Sequence, residues 1–210
     1  MNKGCQRVIT ALFVLVVLGA RTGSAAAQSI VETTAQGKPV DLAIQLELPD
    51  VSLADLITAA DLVVQGTVRD MKSSLTTGGT SINTDLTVEV HRILRAKQAL
   101  TPQPRAGAAQ RGPGQLAEIV VRVPGGELDV NGQRARVIYS DLPVSDIKRG
   151  AAYLFFLVAS PKGSEKFLAG TTAGIFHIGD GRVRPLANQF RQSHRELVDI
   201  PLADFEARLR

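Results

Sequence analysis

Apolar and polar residues alternate along much of this chain, and the alternation predicts a mainly β protein. Leu42, Ile44, Leu46 and Leu48 share one face, with Asp41, Gln45 and Glu47 on the other, which reads as a strand. Pro39 and Pro49 bound it, so it is expected at a sheet edge. Ser52 with Asp55 three residues on forms a capping-box pattern, and Leu53, Leu56, Ile57 and Ala60 make one apolar stripe, predicting a short helix.

Four alternating segments follow: Leu62–Arg69, Ile82–His91, Glu118–Val123 and, more weakly, Arg134–Tyr139. Each reads as a half-buried antiparallel strand with one face to the core and one to water. Gly66 falls on an inward face, where it would suit a sharp bend or bulge. Ala151–Ala159 is apolar on both faces and is expected to be the most buried strand. Gly179-Asp180-Gly181 predicts a hairpin turn between Ile175–Ile178 and Arg182–Leu186. Pro201 can open a last helix that places Leu202, Phe205 and Leu209 on one side. Ala96–Ala117 holds Pro102, Pro104 and Pro113, with Lys97, Arg105 and Arg111 and no acid, and is expected to be a mobile loop between two paired strands.

Ahead of these elements lies an export pattern. Met1–Arg7 carries Lys3 and Arg7 without an acid, Val8–Gly19 is an apolar run, and Ala25-Ala26-Ala27 offers the small-x-small sequence a signal peptidase reads. The run is well short of the roughly 20 apolar residues of a spanning helix, so no transmembrane anchor is expected. Residues 1–27 are therefore expected to be a signal peptide cut between Ala27 and Gln28, giving a periplasmic or extracellular protein. Cys5 precedes the apolar run, whereas a lipid-anchored protein needs its cysteine at the cut. The expected organisation is 28–50 as an N-terminal extension with an edge strand, then 51–210 as one domain with a mobile loop at 96–117.

Cleavage would remove Lys3, Arg7 and Arg21 and no acid, so the formal charge falls from +4 to about +1 (24 basic groups less three, against 20 acidic). A nearly neutral domain makes no global electrostatic case for nucleic acid. The only cysteine would leave as well, excluding both a thiol nucleophile and a disulfide framework.

Catalytic signals are sparse. No HExxH, Gly-x-Ser-x-Gly, phosphate-binding loop or Gly-x-Gly-x-x-Gly occurs, so no catalytic residue, metal ligand or cofactor is assigned. His91, His177 and His194 lie far apart, with no i,i+4 pair among them, and His91 reads as a solvated strand residue. Asp129-Val130-Asn131-Gly132 carries part of a calcium loop but lacks its third ligand and closing glutamate, so a turn explains it as well. Arg182, Arg184, Arg191, His194 and Arg195 form a basic group diluted by Glu196 and Asp199. With aromatic content at 4% and Phe190 the one nearby candidate for base stacking, a solvated face is expected there.

Three pieces taken in order carry a resemblance: Ala60–Val68, then Asp85–Val90 with Ile93-Leu94, then Lys148–Leu157, with Val123-Pro124-Gly125-Gly126 as a recurrent turn. They resemble segments of uncharacterised exported bacterial proteins and, more distantly, the OB-like barrel of netrin and tissue-inhibitor modules. The resemblance implies a five-stranded, OB-like Greek-key barrel with additions. With the helices read at Ser52 and Pro201, the expected fold is mainly β, an OB-like Greek-key barrel with a short N-terminal helix and a C-terminal helix. In those inhibitor modules an amino-terminal cysteine chelates the target's zinc and disulfides brace the barrel. The chain after Ala27 has no cysteine, so no functional residue carries over. The expected function is an exported, non-enzymatic module that binds another exported protein. A hydrolase with dispersed catalytic residues and a structural envelope component are the alternatives.

Overall fold

The computed structural model describes residues 29–45, 51–97, 118–141, 144–159, 165–168 and 173–209. The expected signal peptide, the Ala27–Gln28 bond, Leu46 and Leu48 of the first strand, and 98–117 of the expected loop lie outside them.

Helix α1 (Ile30–Ala35) was missed by the alternation because it is only six residues long. Its start is written in the chain all the same: Ser29 Oγ accepts from Glu32 N–H, and the Glu32 carboxylate accepts from Ser29 N–H, a complete capping box. Strand β1 (Val40–Ile44) follows, then helix α2 (Leu53–Ala59), whose predicted Ser52–Asp55 box is also closed in both directions. Next come β2 (Leu62–Leu75), β3 (Ile82–Ala96), β4 (Glu118–Pro124), β5 (Gly126–Val130) and β6 (Gln133–Tyr139). The chain continues through β7 (Ala152–Ala159), β8 (Glu165–Leu168), β9 (Ile175–Gly179) and β10 (Arg182–Pro185). Helix α3 (Asn188–Ser193), the two-residue β11 (Ile200–Pro201) and α4 (Leu202–Arg208) complete it.

The strand order corrects the expected OB-like Greek-key barrel. The strands form an eight-stranded sheet, β11-β10-β9-β7-β2-β3-β4-β8, and a separate three-stranded sheet, β1-β6-β5. β8 runs parallel to β4 over Val120–Arg122 and also meets the end of β7 over Leu157–Ala159. That edge of β7 already carries β9 over Ala152–Phe155. The large sheet therefore runs on through β9, β10 and β11 instead of ending in a five-stranded closure. The resemblance does not reach β9, β10 and β11 because its pieces end at Leu157, nor the small sheet because none of them covers β1 or β6 and only Gly126 falls in β5. β1 pairs with β6 in parallel, a pairing that alternation cannot reveal.

The β2–β3 hairpin is bent by three register shifts, at Val63/Val64, Gln65/Gly66 and Val68/Asp70. Gly66 belongs to the middle one, as expected. A Cβ there would sit 2.6 Å from both Glu89 O and Val88 Cγ1, so no other residue lets the two strands approach so closely. The bends coil the large sheet over its own inner face. Val64, Val68, Leu86, Val88, Val121, Phe155 and Leu157 fill that face and are fully buried or nearly so. On the outer face, Val63, Leu154, Phe156, Phe176 and Val183 are covered by Leu56 of α2, Phe190 of α3 and Phe205 of α4. β7 alternates between these two cores, which is why Tyr153 to Leu157 are all apolar and all buried. A third core, under the small sheet, joins Ile30, Val40, Ile82, Ala135 and Val137.

Candidate functional site

The three histidines stay apart. His91 is the extra residue of the bulge opposite Gln65 and Gly66, and its Nε2 lies 2.8 Å from Thr67 Oγ1 on an exposed face. His177, on β9, meets the Tyr153 ring edge-on at 5.4 Å. His194 follows α3, packs on Phe190 at 4.5 Å, and faces Val51 O through Nε2 (3.0 Å) and Glu196 through Nδ1 (3.4 Å). Its ring thus ties the C-terminal helices to the segment before α2. A general base needs a carboxylate to orient it and a nucleophile to deprotonate, and His91 and His177 have no carboxylate partner among the described residues. No group of three or more His, Cys, Asp or Glu among them is placed to hold a metal ion.

Asp129–Gly132 is a turn. Asn131 and Gly132 both have positive φ, 55° and 72°, as a two-residue hairpin loop requires, and Gly132 N–H donates to Asp129 Oδ1 at 3.0 Å. Asn131 Nδ2 donates to Thr34 Oγ1 at 3.2 Å, clipping the loop to α1. The C-terminal basic group is dispersed: Arg184 pairs with Asp199 at 2.7 Å and Arg191 donates to Leu186 O, while Arg182 and Arg195 are exposed. Phe190 is buried against Phe176, so it is no platform for a base.

The sheet arrangement builds two features. The first is the outer edge of the small sheet, where β1 lies. Ser140 N–H donates to Ile44 O, so Leu42 and Ile44 direct their backbone groups toward β6, and Asp41 and Ala43 direct theirs outward. No strand pairs with that edge among the described residues. Leu42, on β1, is 40% exposed and Val31, on the neighbouring α1, is 41% exposed, two of the three large apolar side chains left uncovered among the described residues.

The second is a cleft of about 280 Å³ where the β2–β3 and β5–β6 hairpins meet the turn Val144–Asp146. Met71, Ile138 and Val144 give it apolar walls. At its base Thr84 Oγ1 donates to Gly125 O (2.7 Å) and contacts Ser73 Oγ (3.0 Å). Gly126 has φ 141°, and a Cβ there would overlap Thr84 Oγ1 and come within 2.7 Å of Ser73 Oγ, so the glycine keeps the base of the cleft intact. Glu127 lines the rim, its two oxygens accepting from Arg134 at 2.8 and 2.7 Å. That bidentate bond holds the Glu127 carboxyl below its ordinary range. Arg136, half-buried on the wall beside Glu127, makes no hydrogen bond or ion pair with any described residue.

No described helix is long and apolar enough to cross a membrane. No family model matches this chain, and no curated protein matches it.

Proposed function

We propose that this chain is an exported, non-enzymatic binding module that takes an extended segment of another exported protein as an added strand on the outer edge of β1. The observation that supports this reading is that edge, with outward backbone groups at Asp41 and Ala43 and with Leu42 and Val31 uncovered beside it. An unpaired strand is a template for a further strand, with main-chain hydrogen bonds supplying affinity and alternate side chains supplying choice of partner. Export rests on the charged, apolar and small-residue zones of residues 1–27.

The test compares the chain from Gln28 onward with its Ala43→Pro variant in capturing partners from envelope and secreted fractions of the source cells. Proline removes an outward donor and leaves the bonds to β6 in place. A partner captured by the parent and lost by the variant, at unchanged thermal stability, supports strand addition. Equal capture by both, or turnover of hydrolase substrates by the parent, overturns it.

A further inference from the structure

We infer that the cleft between the two hairpins is a binding site for a small monocarboxylate with an aliphatic body and a hydrogen-bond donor, the class to which N-acylated amino acids belong. This site is separate from the β1 edge and does not depend on it.

Arg69, Arg92, Arg122, Arg134, Arg149 and Arg184 each form an ion pair, with Glu89, Glu206, Asp85, Glu127, Asp70 and Asp199 respectively. Arg136 stands between two acids in the sheet register, Asp41 on β1 and Glu127 on β5, and makes no hydrogen bond or ion pair with either, its charge adding only the smallest of the influences that lower Glu127. Glu127 is already engaged on both oxygens by Arg134, which also offsets its negative charge on the rim. A half-buried guanidinium with five donors and no acceptor is best satisfied by a carboxylate arriving from the cleft it lines, since the planar fork matches the two oxygens.

The hydroxyls at the base fix the second polar group. Thr84 Oγ1 has one proton, and a carbonyl oxygen can only accept, so that proton goes to Gly125 O. The 3.0 Å contact with Ser73 then requires Ser73 to donate to Thr84. Ser73 Oγ is left with lone pairs only, and because Ser73 lines the cleft this oxygen is available there as an acceptor. The cleft therefore offers a donor fork on one wall and an acceptor at its base, with Met71, Ile138 and Val144 between. Its volume, about 280 Å³, lies just below the usual range for small-molecule sites, which limits the ligand to roughly the size of one acylated amino acid.

The probes are N-acetyl-leucine and its neutral primary amide, titrated separately while the methyl NMR signals of Met71, Ile138 and Val144 are followed. The acid should give saturable shifts at these three methyls and bind at least about tenfold more tightly than the amide, the factor a charged hydrogen bond supplies. Arg136→Gln should erase the preference for acid over amide, and Arg136→Lys should retain part of it. Ser73→Ala should weaken both probes alike, because both carry the N–H that Ser73 accepts. No saturable shift up to about 10 mM, equal binding of acid and amide, or an unchanged preference in a folded Arg136→Gln protein would each overturn the assignment.

Discussion

Tyr153 shows how one side chain can serve both packing and pH dependence. Its ring is fully buried in the inner core, and its hydroxyl oxygen accepts the Lys148 N–H at 2.8 Å, closing the turn that leads into β7. Burial raises the phenol above its ordinary value of 10.0, partly offset by the Lys148 bond. A raised acid group favours the neutral form in the folded state. Its contribution to stability is therefore complete below pH 10 and is lost as pH climbs through the higher folded value. Tyr153→Phe should leave Lys148 N–H without its acceptor and cost about 1–3 kcal/mol at neutral pH. It should also flatten the loss of stability on the alkaline side, as measured by urea unfolding at neutral pH and above pH 10. An alkaline slope that persists in the variant would place its source elsewhere.

Other residue-level features were open to reading in advance. Ser52 and Asp55 signal a capped helix, and the same pattern at Ser29 and Glu32 marks α1, although its six residues are too few to show a helical stripe. Arg136 could not be found that way. One arginine among many is ordinary in a sequence, and only the geometry of Glu127 and Arg134 leaves it without a hydrogen bond or ion pair to a described residue.

At the scale of elements, β7 carries the most weight. Its residues alternate between the inner core, through Tyr153, Phe155 and Leu157, and the helix-covered core, through Leu154 and Phe156. Phe155→Ala and Leu157→Ala should each lower unfolding free energy by about 2–5 kcal/mol, combining lost burial with the cavity left behind. Near-native urea midpoints in both would contradict the central position of this strand. Its burial was legible because an apolar run without alternation has no face to offer to water. β5 was hidden for the opposite reason. Pro124-Gly125-Gly126 reads as a turn, but only Gly125 lies between strands, and a five-residue strand begins at Gly126.

For the whole molecule, the decisive fact is that three cores of unequal size share one chain. Among the described residues the inner core has fourteen buried side chains and the helix-covered core thirteen, and both are built on β2, β7 and β9. The core under the small sheet has five. Less burial means a smaller free energy for local opening. Native-state hydrogen exchange should therefore show the amides of β1 and β6 opening well below the global unfolding free energy, with β2 and β7 close to it. Equal protection in β6 and β7 would mean that the small sheet unfolds only with the rest. A separately opening small sheet is also what strand addition at β1 calls for, since a binding edge must tolerate adjustment.

Local physics made the elements readable from the residues alone. Alternation located β2, β3, β4 and β6, an unbroken apolar run located β7, glycine at positive φ located the Asp180-Gly181 and Asn131-Gly132 turns, and the inward Gly66 announced the bulge that bends β2. These signals depend on neighbours a few residues away, which sequence preserves. Which strand lies beside which depends on contacts between distant segments, and period-2 alternation is the same whatever the neighbour. The parallel β1–β6 pair, the divided edge of β7, the continuation through β9 to β11 and the cleft holding Arg136 were therefore decided only by the tertiary structure.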